Sequence, residues 1–119
     1  MNIFDFTEEE RPLQTIKEKI KQRRAQMLIH SCAYYQLDDQ MVDDHTWQRW
    51  ADELTKLQHD NPLDCNIGFY DDVFATWDGS TGYHLPLRDP WVMHKTQYLL
   101  DREHERRDRA ISSHCQAGS

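Results

Sequence analysis

Apolar positions along this chain recur with helical rather than strand spacing. From about Leu13 to Tyr35 they fall at Leu13, Ile16, Ile20, Met27 and Leu28, the recurrence of one helix face. A basic stripe accompanies them, Lys17, Lys19, Lys21, Arg23 and Arg24, and reads as a solvated face. The clearest pattern comes next. Trp47, Trp50, Ala51, Leu54 and Leu57 stand at i, i+3, i+4, i+7 and i+10, which predicts a second helix. Its buried face is expected to set Trp50, Leu54 and Leu57 against Ile16, Ile20 and Met27. Asp43 or Asp44 supplies the N-cap, and the helix is expected to stop before Asn61-Pro62, because the residue ahead of a proline disfavours helical backbone.

Residues 63–88 carry no sustained period. Ile67, Phe69, Tyr70, Val73, Phe74 and Trp77 allow a short helix or turn around Asp71 to Thr76, and Asp78-Gly79-Ser80-Thr81-Gly82 reads as a structural turn. Asp89-Pro90 then opens a third main helix, with Asp as cap and Pro at the first helical position. Val92, Thr96, Leu99 and Leu100 form its apolar face, and opposite charges four apart carry it towards Arg109. The expected fold is mainly α: a small single domain with a helical pair, a third helix, an irregular middle segment and mobile termini. Residues 1–11 read as an extended arm bearing Ile3, Phe4 and Phe6, with a helix-start signal at Thr7. Residues 12–110 form the helical domain, and 111–119 read as a disordered tail.

Composition narrows the function classes. The chain has 119 residues, 38% hydrophobic and 29% charged, with a formal net charge of −7. That charge argues against direct binding of nucleic acid and favours a protein partner with a basic surface. Three cysteines without regular spacing make no disulfide framework, and seven histidines show no paired-ligand spacing, so no metal is expected. Cys32 and His30 lie two apart on one helix and so point different ways. The N-terminal residues lack the basic and apolar regions of a signal peptide, and no apolar run reaches membrane-span length, so a cytoplasmic protein is expected.

The residues that carry candidate chemistry lie where the first two helices meet. Tyr34 and Tyr35 end one helix, Asp38 begins an acidic turn, and Asp44, Trp47 and Gln48 open the next. Aromatic walls with a carboxylate rim suit a cationic or ring-bearing ligand. This stretch resembles the N-terminal nicotinamide-recognising helical subdomain of bacterial NAD-dependent DNA ligases. That subdomain reads Tyr-Tyr-x-x-Asp, five residues, Asp-x-x-Tyr-Asp, then a Leu-rich helix ending near Pro. Here Tyr34, Tyr35, Asp38, Asp44, Trp47, Gln48, Leu54, Leu57 and Pro62 stand in those places, within residues 20–62. The resemblance implies that Tyr34, Tyr35, Asp44, Trp47 and Gln48 face the nicotinamide mononucleotide half of NAD. Trp47 stands where the family has Tyr, and Gln48 where it has Asp. The adenylation motif Lys-x-Asp-Gly is missing: the only Asp-Gly is Asp78-Gly79, with Thr76 at the Lys position. The chain is therefore not expected to catalyse ligation.

Two readings follow. One is a small phage-type ligase-like protein, an interaction or regulatory module that binds and inhibits or modulates a host nucleic-acid enzyme or defence system. The other is a protein that binds NAD or nicotinamide mononucleotide in the Tyr-Tyr/Asp/Trp cup.

Overall fold

A computed structural model describes residues 14–117, with side chains for 14–109. The arm at 1–11, with its expected helix start at Thr7, lies outside the described residues. Among them the chain forms four α-helices, one 3-10 turn and no strand.

Helix α1 spans Ile16–Gln36. Its start is fixed by a reciprocal pair: Thr15 Oγ1 accepts from the Glu18 amide, and Glu18 Oε1 accepts from the Thr15 amide. From Arg24 to Ile29 every residue of α1 is buried. It is a central helix, covered on more than one side, rather than an amphipathic surface helix. Ile20 and Met27 are in the core as expected. Ile16 is not: it sits in the exposed first turn, ahead of the region that the other helices cover.

Helix α2 spans Asp44–Asp60, and Asp43 is its cap, its carboxylate accepting from the Thr46 amide at 2.6 Å. That amide bond holds the Asp43 carboxyl below its ordinary range. The helix ends at Asn61, whose backbone leaves the helical region at φ −133°, ψ 61° ahead of Pro62. Leu54 and Ala51 are fully buried against α1, while Trp50 and Leu57 pack at the core's edge. Pro62–Cys65 then makes the 3-10 turn, and α3 spans only Asp71–Ala75.

Arg24 corrects the expectation of a solvated basic stripe. Lys17, Lys19 and Lys21 are exposed, but Arg24 is only 1% exposed. Its guanidinium donates to Asp71 Oδ1 (2.7 Å), the Phe69 carbonyl (2.8 Å), the Cys65 carbonyl (3.0 Å) and Gln58 Oε1 (2.8 Å). Its planar fork meets acceptors that a single ammonium would not span. Asp71 in turn accepts the amides of Ile67, Gly68 and Phe69. Burial pushes the Asp71 carboxyl up, but these amides and Arg24 outweigh it, and the net shift is down. One ion pair thus organises the segment that lacks a period, including the positive-φ residues Gly68 and Tyr70.

Helix α4 spans Pro90–Ala117. Asp89 caps it by accepting from the Trp91 amide and also accepts from the Tyr70 hydroxyl at 2.8 Å. Burial, then this bond, push the Tyr70 phenol up to about 12. Val92, Thr96 and Leu100 are buried, and Leu99 is half-buried. Thr96 Oγ1 donates to the Val92 carbonyl, so no hydroxyl is stranded in the core. His104 reaches back to Asp39 at 2.7 Å. The helix continues through 111–117, residues that the sequence pattern assigns to a tail, after Glu–Arg pairs four apart at 103–107 and 105–109.

Candidate functional site

The turn between α1 and α2, the start of α2 and the Asp78–Gly82 loop enclose a cavity of about 230 Å³. Tyr34, Tyr35, Asp44, Trp47 and Gln48, the five residues singled out from sequence, all line it. Asp38 does not; it takes a left-handed backbone at φ +51° and turns the chain instead. The rest of the lining comes from His30, Ser31, Gln40, Met41, Val42, Ser80, Thr81 and Gly82.

Tyr34 and Tyr35 contact edge to face at 4.9 Å and are largely exposed at the rim. Trp47 has two roles. It packs against the hydrophobic core and also forms cavity wall. Its ring meets Trp77 edge-on at 6.2 Å, and its Nε1 donates to Ser31 Oγ at 3.3 Å. Asp44 is exposed and accepts from Gln40 Nε2 at 3.1 Å. It is the only charged residue in the lining, which contains no Lys or Arg.

Gln48 explains itself once its partners are seen. Its Nε2 donates to Asp52 Oδ1 at 2.9 Å and to the Gly79 carbonyl at 3.3 Å. An aspartate here would offer acceptors to two acceptors. The amide therefore ties the glycine loop to α2, a contact the ligase pattern gave no reason to expect.

That loop is the wall sequence reading missed. It does form the expected turn: Asp78 Oδ1 accepts from the Ser80 amide and hydroxyl, which hold its carboxyl low. But it also closes the cup. Trp77 Nε1 donates to the Thr81 carbonyl at 2.8 Å, and the Tyr35 and Thr81 hydroxyls lie 3.3 Å apart. A Cβ on Gly82 would lie 2.0 Å from Ser31 Oγ and 2.7 Å from Ser31 Cβ. Only glycine lets the loop approach α1 this closely. The sequence signal was present, since Gly82 sits four residues after Asp78 between two apolar segments, but its facing residue lies in another helix.

His30 forms the back of the site. Its ring lies 5.3 Å from Trp50, its Nδ1 is buried without a hydrogen-bond partner, and burial pushes its pKa down to about 4. It is a neutral wall. Cys32 is buried, 3.4 Å from Met93 Sδ, and burial pushes its thiol up, away from the thiolate a nucleophile needs. Among the described residues, no group of three or more His, Cys, Asp or Glu side chains is placed to hold a metal ion. Nor is any described helix long and apolar enough to cross a membrane. The site is a small aromatic cup whose lining carries one carboxylate, Asp44.

Compared with protein-family models, curated proteins and solved structures, the chain matches none of them.

Proposed function

We propose that this protein is a non-catalytic, ligase-like module that binds the nicotinamide end of a nucleotide. The observation that carries the reading is convergence. Five residues chosen from a sequence pattern spanning 34–48 line one cavity, together with a loop more than 30 residues away. Tyr34, Tyr35 and Trp47 offer ring surface to a cationic pyridinium, and Asp44 supplies the opposite charge. At about 230 Å³ the cavity is below the roughly 300–1,000 Å³ of sites that engulf whole drug-sized ligands. It has room for one ring and part of its sugar. Calorimetry with nicotinamide mononucleotide tests the proposal. Heat in the wild type that disappears in Trp47→Ala supports it; no heat at millimolar ligand rejects it.

A second reading, an interaction module that inhibits a host nucleic-acid enzyme or defence system, draws on a different surface. Phe69, Tyr70 and Trp91 form an aromatic cluster, with Phe69 and Trp91 edge-on at 5.2 Å and Trp91 42% exposed. Aromatic anchors of this kind are common at protein interfaces, and the net charge of −7 suits a basic partner. Co-purification from lysate that is abolished by Trp91→Ala, and is indifferent to added NAD, would favour it over the cup.

A further inference from the structure

The cavity opens onto more aromatic surface than one nicotinamide ring requires. Tyr35 contacts Tyr34 at 4.9 Å on one side and Tyr83 at 5.4 Å on the other, both edge to face. Tyr83 in turn meets His84 at 5.2 Å. Tyr83 is the most exposed of the three tyrosines, at 63% against 51% for Tyr34 and 41% for Tyr35. Tyr83 is outside the cavity lining, yet it is not loose. Its amide donates to Thr81 Oγ1, the hydroxyl that also faces Tyr35, and the preceding Gly82 is locked against Ser31. A large exposed ring therefore stands beside the rim residue Tyr35, on a loop whose backbone is tied to its surroundings.

We infer that Tyr83 is a stacking platform for a second base, so that the preferred ligand is a dinucleotide rather than a mononucleotide. The inference rests on the nicotinamide reading of the cup and extends it. The cavity holds about one ring, so the remainder of any larger nucleotide must leave through the mouth, and the rim residue Tyr35 adjoins Tyr83. Every base has a π-face, so stacking on an exposed tyrosine requires no further hydrogen-bonding partner. Edge-to-face contacts with Tyr35 and His84 support the ring while leaving it widely exposed. Nothing in the resemblance to the ligase subdomain covers this position, which lies beyond residue 62.

The test compares NAD with nicotinamide mononucleotide by calorimetry on the full chain. Both carry the nicotinamide cation and have similar net charge near neutral pH, so the difference reports the added AMP half, and the Tyr83 variants report the share of it due to stacking. In the wild type, NAD should bind about tenfold more tightly, the scale of one base stacked on an aromatic ring. Tyr83→Ala should erase that advantage while leaving mononucleotide binding unchanged, and Tyr83→Phe should retain it. Tyr83 is 63% exposed, so the substitutions should leave the circular dichroism spectrum and melting temperature in place. Equal affinity of the wild type for the two ligands would overturn the stacking platform and spare the cup. An NAD advantage that survives Tyr83→Ala would also overturn it. No binding of either ligand would overturn both.

Discussion

Replacing Arg24 by Met tests the account of how the middle of the chain is held. The side chain is 1% exposed and donates to four acceptors, from Gln58, Cys65, Phe69 and Asp71. Met fills most of the volume but leaves those acceptors without their donor. Breaking a buried ion pair by removing one partner costs about 3–5 kcal/mol. Asp71 keeps its three amide bonds and has a side chain 28% open to water, which places the expected loss at the lower end, about 3 kcal/mol. That is a large share of the roughly 5–15 kcal/mol that holds a domain of this kind together. Urea unfolding followed by tryptophan fluorescence gives the number directly. With a slope of about 1.5 kcal/mol per molar, the midpoint should fall by about 2 M. Arg24→Lys should recover little, because one ammonium cannot reach four acceptors arranged around a planar fork. The double variant with Asp71→Asn should lose less than the sum of the two single losses. A loss below about 1 kcal/mol for Arg24→Met, a value typical of surface changes, would refute the buried hub.

Three further outcomes are expected. His30 titrates at about 4 in the fold against 6.5 ordinarily, so the unfolded chain takes up the proton first as pH falls. Its contribution is therefore complete above pH 6.5 and is lost down to about pH 4, up to roughly 3 kcal/mol. Denaturation at pH 7 and pH 5 should show a smaller difference in His30→Phe than in the wild type; an unchanged difference would place the proton on folded His30. Gln48→Asp should destabilise by about 1–2 kcal/mol, because it removes the tie to Gly79 and sets a carboxylate beside Asp52; a higher melting temperature would contradict this. Gly82→Ala should cost about 1–3 kcal/mol through the clash with Ser31 and weaken ligand binding with it, and unchanged stability would mean that the loop does not pack on α1.

The helical pair was legible because its signals are local. Asp43, Pro62 and the Asp89-Pro90 pair each act within a turn of where they stand, and the i, i+3, i+4, i+7 row from Trp47 put Leu54 in the core without reference to anything distant. The five cup residues lie within one short stretch, so they were visible for the same reason. Arg24 was misread because a charge among lysines resembles solvent-facing neighbours, while its partners lie 34 to 47 residues further on. The loop wall was missed on the same ground. Gly82 looks like any turn glycine until Ser31 is placed opposite it. Ile16 erred in the other direction: it keeps the period but precedes the part of α1 that other helices cover.

The burial of α1 on several sides also sets a timetable. Ile29 shares the interior with Leu100, and Arg24 is satisfied only by residues as far along as Asp71. A ribosome adding roughly 5–20 residues per second takes several seconds to cover that distance. Helix α2 precedes α4 in the chain, so the flank of α1 that α4 covers is the last to be closed. Helices α1 and α2 therefore do not complete this packing by themselves. Cut after residue 62, they would retain every cup residue named from the sequence and lose both the loop that closes the cup and the helix that buries its foundation.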